Sequence, residues 1–322
     1  MIRIGVLGCA EIAFRRFLPE LVKNQDFSCV AIAEEYDKTK LQAFQDTFGI
    51  TPRESFADII QDSEIDAVYI PLPPAFHYTY ARQALEAGKH VFVEKPSTTN
   101  YNNTKELAEL AQSRDLVLQE NYMFQYHSQI TAIRELLDAG RIGDIRLIRT
   151  SFGFPLRQAN DFRYSKALGG GALLDAGGYV TKLATLLLGE TIEVRMAMLN
   201  HMEGYDVDMY GAVTFENAAG LTCQASFSMD NFYQCSLEVI GNKGRLYTNR
   251  VYTAPPALEP DVLIETADGS EHIKLSADSH FAHSIEQFAK AVEDETVRKK
   301  MARDLVLQAK LVQEIRELGS RQ

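Results

Sequence analysis

The residues best able to do chemistry fall at two points of the chain. One is Glu94-Lys95-Pro96, which ends the apolar run Val91-Phe92-Val93. Three apolar residues in a row read as a short buried strand. A proline cannot continue a central strand, because it has no N–H to donate. An ammonium is thereby delivered to the carboxyl edge of a sheet, where ligands bind in open α/β folds. The other point is Asp175 with Tyr179, four residues apart and so on one helix face. Gly169-Gly170-Gly171 precedes them and permits close approach of other groups. A phenol is a poor acid or base at its reference pKa near ~10, but a nearby ammonium lowers that value by roughly one to three units. If the fold brought Lys95 beside Tyr179, the two would make a coherent pair, with Tyr179 exchanging a proton and Lys95 polarising a substrate oxygen. Asp175 would orient the substrate or Lys95, and Arg163 is a candidate for anionic substrate groups. Each has a plain alternative when read alone. Lys95 reads equally as a solvated lysine, Asp175 as a local cap and Tyr179 as an amphipathic core residue.

The elements that must position these residues follow from hydrophobic period. Ile2 to Leu7 reads as a buried strand, and Gly8-Cys9-Ala10-Glu11-Ile12-Ala13 leads from it into a helix reaching about Val22. This is the layout of a dinucleotide-binding turn, G-x-G-x-x-G, with alanine in the second and third places. Gly8 serves the tight turn, Ala10 the approach of a pyrophosphate and Ala13 the packing of helix on strand. The helix N-terminus receives the phosphate charge. Arg15 and Arg16 add charge near it or face solvent. Ser28 to Ala33 is a second strand ending in Glu34-Glu35. Glu34 lies about twenty residues after the turn, where an acid accepts ribose hydroxyls. A helix from about Lys38 to Phe48, capped by Gly49, comes next. Strands at Ala67–Ile70, Val91–Val93 and Leu116–Gln119 alternate with helices from about Phe76 to Ala87 and Asn103 to Arg114. That alternation predicts a doubly wound parallel sheet over residues 1–121.

Residues 122–322 read as a second, α+β domain. A helix is expected over Ser128–Ala139, a strand over Ile145–Phe154, a polar loop over Pro155–Leu168 and an apolar helix over Ala172–Leu188. From Glu193 to about Leu275 strand follows strand, which predicts one large, mostly antiparallel sheet. One face would pack on helices, and the other is free for a sister chain in a homodimer or homotetramer. Two amphipathic helices close the chain.

Composition sets outer limits. The 322 residues fit two domains, and 46% are hydrophobic, enough for well-buried cores. A net charge of −11 argues against nucleic acid or an anionic membrane as partner. Cys9, Cys29, Cys223 and Cys235 form no metal-type pair and read as reduced thiols of a cytoplasmic protein. His201, His272, His280 and His283 show no ligand spacing, so no metal is expected. Met1 leads straight into a strand with no leader, and the apolar runs are too short to span a membrane.

The motifs now converge. Gly8-Cys9-Ala10-Glu11-Ile12-Ala13, the turn Pro73 to His77, Ala87-Gly88-Lys89-His90-Val91 and Glu94-Lys95-Pro96 closely resemble, in order and spacing, the glucose–fructose oxidoreductase / inositol dehydrogenase superfamily. Gly169 to Tyr179 resembles its substrate-site signature, with tyrosine where many members have histidine. The resemblance covers essentially the whole chain. It implies an NAD(P)-dependent oxidoreductase acting on a secondary alcohol or ketone of a sugar-like substrate. It further implies cofactor contacts from Gly8, Cys9, Ala10, Glu11, Ile12, Glu34, Leu72, Pro73, His77, Glu94, Lys95 and Asn121, and a commonly cis Lys-Pro peptide. Substrate contacts fall to Arg163, Asp175 and Tyr179. Cys9 to Ala13 with Arg15-Arg16, and Glu120-Asn121-Tyr122-Met123-Phe124, look most like the nucleotide-sugar 3-ketoreductase branch. The chain departs from the family at Leu72-Pro73-Pro74, where Thr-Pro-Asn is frequent, so a contact from that Asn is missing. Members that take NADP often carry Ser-Arg where this chain has Glu34-Glu35, which leans the expectation toward NAD. Against that stand Lys38 nearby, a Glu34 free to swing away, and ketoreductase relatives that commonly take NADPH. The alternatives are a trans-dihydrodiol or simple sugar dehydrogenase and, from another class, a non-catalytic cofactor-binding regulator.

Overall fold

The structure is a computed structural model that describes residues 1–320. Six strands form its first sheet: β1 (Ile2–Leu7), β2 (Phe27–Ala33), β3 (Thr51–Arg53), β4 (Ala67–Ile70), β5 (His90–Glu94) and β6 (Leu118–Asn121). All pair in parallel, in the order β3-β2-β1-β4-β5-β6. The order reverses between β1 and β4, so the carboxyl ends of those strands flank a topological switch point. The strands are apolar because helices cover both faces. Every residue of β4 is buried, and Leu7, Val68, Ile70, Val91 and Val93 pack with Phe56, Ile59, Ala81 and Leu107 from the helices. Segment 50–61 carries no strong pattern, yet it holds β3 and a short helix, Phe56–Gln61. A reciprocal capping box of Ser55 and Asp58 starts that helix.

Eight strands form the second sheet: β7 (Ile145–Gly153), β8 (Glu193–His201), β9 (Asp208–Glu216), β10 (Thr222–Ser228), β11 (Gln234–Gly241), β12 (Gly244–Thr248), β13 (Asp261–Thr266) and β14 (Gly269–Lys274). Their order is β14-β13-β12-β11-β7-β10-β9-β8. Pairing is antiparallel except between β7 and β10. Residues alternate inward and outward along these strands, as in Cys223, Ala225 and Phe227 buried against exposed Gln224 and Ser226.

The chain divides into two compact units, with a break between Asn121 and Tyr122. A contiguous second domain over 122–322 needs correcting, because Phe281–Ala309 belongs to the first unit. The physical reason is apolar docking. Phe288 lies 5.2 Å from the Phe92 ring and 6.2 Å from that of Phe27. Gln119 Nε2 donates to the Ser284 carbonyl and hydroxyl at 3.0 and 2.9 Å. An amphipathic helix advertises that it docks, not on what. No helix among the described residues is long and apolar enough to cross a membrane.

Candidate active site

Within the first unit, the glycine turn, the end of β2 and the turn after β4 meet. Gly8 stands at φ +110, and a Cβ there would lie 2.7 Å from Leu72 Cδ2. Only glycine serves both the turn and that close approach. The next residue, Cys9, donates its N–H to Glu34 Oε2 at 2.6 Å. Glu34 Oε1 accepts N–H bonds from Tyr36 and Asp37 at 2.8 and 3.2 Å. Three backbone donors therefore pin the carboxylate, which is 6% exposed. Glu34 cannot swing away cheaply, and the negative charge stays at the turn. Burial, and then Glu34, push the Cys9 thiol up to about 12. Glu35 Oε1 accepts the Phe56 N–H at 2.7 Å. Ala10 and Ile12 follow in the turn, and Glu11 is an exposed side chain paired with Arg15 at 2.9 Å. The expected helix to Val22 begins as a π-helical segment, Ala13–Phe17, before Leu18–Leu21.

Lys95 follows β5, and the Lys95–Pro96 peptide is cis. His77 lies beneath this turn, wholly buried. Its Nδ1 and Nε2 face the Pro96 and Leu72 carbonyls at 2.7 and 2.6 Å. Burial pushes the imidazole down to about 4. Two carbonyl neighbours would suit an imidazolium, but burial dominates and the ring is neutral at pH 7, donating from one nitrogen at a time. His77 thus ties the turn carrying Pro73 to the turn carrying Lys95. Glu94 accepts from the Tyr69 hydroxyl at 2.8 Å and from Asn121 Nδ2 at 2.7 Å, while Ser284 Oγ donates to Asn121 Oδ1 at 2.9 Å. Burial raises the Glu94 carboxyl above its ordinary range. Glu94 and Asn121 therefore hold the ends of β5 and β6 together.

Within the second unit, the helix expected over Ala172–Leu188 has two parts: a π-helical segment, Leu173–Gly177, and an α-helix, Gly178–Leu188. Such insertions re-aim side chains and recur at functional sites. Asp208 Oδ2 caps its start, accepting the Leu173 N–H at 2.6 Å. Asp175 Oδ2 accepts from Arg163 Nε at 2.8 Å, and Asp161 from Arg163 Nη1 at 3.1 Å. Arg163 is thus engaged by two carboxylates, which outweigh its burial and raise its pKa. Tyr179, 6% exposed, sits in an aromatic box. Ring centroids of Phe152, Tyr122, Phe124 and Tyr252 lie 4.9, 5.1, 5.7 and 5.9 Å from its own. Its hydroxyl donates to Met123 Sδ at 3.7 Å. Phe152 and Tyr252 carry no motif; only their aromatic character marks them in the sequence. Asp208 likewise lay unmarked at the head of β9.

A parallel nucleotide sheet with a pinned acid after its second strand, and a second unit presenting an enclosed phenol, fit a nicotinamide-dependent oxidoreductase. Residues 2–122 match the model of the oxidoreductase family with an NAD-binding Rossmann fold, and residues 130–247 that of the GFO/IDH/MocA C-terminal domain. The chain is 42% identical over 292 residues to a dTDP-3,4-didehydro-2,6-dideoxy-alpha-D-glucose 3-reductase of Streptomyces violaceoruber, covering 90% of this chain and 85% of that one. It is 40% identical to the enzyme of that name from Actinomadura kijaniata, covering 98% and 95%. The structure of KijD10, a 3-ketoreductase from Actinomadura kijaniata in complex with NADP and TDP-benzene, matches with a TM-score of 0.95 at 39% identity, covering 98% and 97%. Lysine-to-alanine and tyrosine-to-phenylalanine variants of KijD10 also match. The chain belongs to the GFO/IDH/MocA family of oxidoreductases.

Proposed function

We propose that the chain reduces a ketone on a deoxysugar carried by a nucleoside diphosphate, as a 3-ketoreductase. The observation that carries this reading is the likeness, along the whole length of both chains, to a 3-ketoreductase solved with TDP-benzene. The nicotinamide, when bound, supplies the hydride. The chain's own residues do the rest. Ala10, Glu11 and Ile12 present backbone N–H groups to the cofactor's pyrophosphate, while Gly8 and Cys9, whose own N–H groups go to the Ala33 carbonyl and Glu34, shape the turn beside Leu72 and Pro73. Tyr36, 57% exposed with its ring 5.2 Å from that of Phe76, offers a face to adenine. Lys95 polarises the substrate oxygen, Tyr179 exchanges its proton, and Asp175, held by Arg163, orients the sugar. Lysine and tyrosine variants of KijD10 support the choice of that pair.

The cofactor is NAD(P), and its 2′ preference falls to Glu34 and Glu35. KijD10 was solved with NADP. That relative supports NADPH, against the lean toward NAD. The carboxylates of Glu34 and Glu35, fixed by backbone N–H groups, would disfavour a 2′-phosphate set beside them and are the ground for testing NADH as well. The partner is a sister chain, docked on the outward face of the eight-stranded sheet.

The test follows absorbance of reduced nicotinamide with dTDP-linked ketosugars, free ketosugars and trans-dihydrodiols. Turnover of the nucleotide-linked ketone alone is expected. Equal turnover of free sugars or dihydrodiols would replace this reading with a simple dehydrogenase, and none with any of them would leave a cofactor-binding regulator.

A further inference from the structure

A sugar nucleotide brings two phosphates, and this chain carries a net charge of −11. Local cations must therefore receive them, yet most arginines of the second unit are already neutralised. Arg141 pairs with Glu271, Arg146 with Asp144, Arg149 with Glu238, Arg163 with Asp161 and Asp175, Arg195 with Glu193 and Glu216, and Arg245 with Glu238 and Glu265.

Arg250 is different. Like the exposed Arg134 and Arg157, it makes no ion pair among the described residues, but unlike them it is half-buried. Its guanidinium lies 4.9 Å over the Tyr233 ring, and Nη1 donates to the Tyr233 hydroxyl at 3.0 Å. That hydroxyl lies 2.6 Å from Thr253 Oγ1. Burial, and then Cys235, raise the Tyr233 phenol, so it stays a neutral hydrogen-bonding group. The backbone anchors the arrangement: Gln129 Nε2 donates to the Arg250 carbonyl at 3.3 Å, and Val251 N–H to the Cys235 carbonyl at 3.2 Å. Stacking fixes the guanidinium plane while Nε and Nη2 keep their donors. A planar fork of donors with no carboxylate of its own suits a phosphate. The position also suits one. Thr253 adjoins Tyr252, whose ring belongs to the box around Tyr179.

We propose that Arg250, stacked on Tyr233 and flanked by Thr253, is the subsite for the diphosphate of the sugar nucleotide. The inference rests on the reading of the substrate as a nucleotide-linked sugar. It makes Arg250 a binding and specificity residue that leaves the proton transfer untouched.

The experiment titrates dTDP calorimetrically into the unmodified protein and into Arg250→Ala, Arg250→Gln and Arg250→Lys, with Arg195→Ala as an ion-paired control. Melting curves establish folding, and binding of the reduced cofactor is measured in parallel. Loss of a charge-assisted hydrogen bond should weaken dTDP about tenfold or more in the Ala and Gln variants, with a smaller loss in the Lys variant. KM for the sugar nucleotide should rise in step while kcat stays within about threefold, since the lost binding is uniform. Arg195→Ala and cofactor affinity should not change. Unchanged dTDP affinity in a folded Ala or Gln variant overturns the proposal, and so does a loss confined to the cofactor. If the unmodified protein neither binds dTDP nor reduces any dTDP-linked ketone, the substrate reading itself has failed. That outcome is distinct from one in which only Arg250 proves irrelevant.

Discussion

Lys95 and Tyr179 do different jobs under the proposed chemistry, and their variants should differ from binding variants in kind. Lys95→Ala and Tyr179→Phe should each lower kcat by at least ~10²-fold, the usual scale for a lost acid/base or electrostatic group. Cofactor affinity should survive, because the seat proposed for it lies in the turn after β1 and not at these side chains. Near-normal turnover in either variant would remove that residue from the mechanism. Glu34 and Glu35 make a second residue-scale test. Replacing the pair by Ser-Arg removes two fixed negative charges and adds a fork suited to phosphate. Preference should move toward NADPH by about tenfold or more, the worth of one hydrogen bond to a charged group. A clear NADPH preference in the unmodified protein would refute the role given to Glu34. The candidate residues were legible in the sequence because motifs fix type and spacing. What each side chain touches was not. That Arg163 is bound to Asp175 and Asp161, that Glu34 is pinned by three N–H groups, and that His77 ties two carbonyls together depend on chain folded from elsewhere.

Elements show the same division. Strands β4 and β5 were legible because each is an unbroken apolar run stopped by proline or charge. The π-helical segment Leu173–Gly177 was not, since its residues suit an α-helix equally well. The return of Phe281–Ala309 to the first unit was hidden too, because an amphipathic period does not name its partner. The loop before that π-helical segment is held by close approach. A Cβ on Gly170 would stand 2.2 Å from the Arg163 carbonyl oxygen. Gly170→Ala should cost about 1–3 kcal/mol, as overpacking does, and should lower activity by moving Arg163 off Asp175. Urea unfolding with parallel assays checks both effects. A second element-scale prediction concerns acid. His90 Nδ1 accepts the Val117 N–H at 3.0 Å, which ties β5 to the chain entering β6 and needs a neutral ring. Burial, and then Arg298, push His90 down to about 4, and burial does the same to His77. An unfolded histidine titrates near ~6.5. Between that pH and about 4 the unfolded chain takes up protons that the folded chain refuses. Stability should therefore fall as pH drops through this window, by up to about 1.4 kcal/mol per pH unit for each histidine. His90→Gln keeps an acceptor without the titration, so its urea midpoint should fall less steeply between pH 7 and 5. An unchanged slope would mean that His90 does not carry the effect.

At the scale of the molecule, one surface asks for a partner. The outward face of the eight-stranded sheet carries short side chains across its central strands. Ala212, Ser226, Ser151 and Ser236 stand opposite one another across β9, β10, β7 and β11, a row of short side chains. Beside it Arg149 lies between Gln224 and Glu238, bonded to both at 3.3 and 3.4 Å, so that charge is balanced within the face. Met196, Met198 and Tyr210 border the row and are 55%, 45% and 44% exposed, unusual for large apolar side chains of one sheet. Short residues let a second sheet approach to about 10 Å, and a closed twofold would set each methionine edge against the other copy. The balanced Arg149–Glu238 pair carries no net charge to repel a copy of itself. Light scattering should therefore give at least twice the monomer mass at micromolar concentration. Ser226→Arg would place a long charged side chain in the row of short ones, and should yield a monomer that still binds the nicotinamide cofactor through the first unit. A monomer before substitution would sink the interface, and an intact oligomer after it would move the contact to another surface.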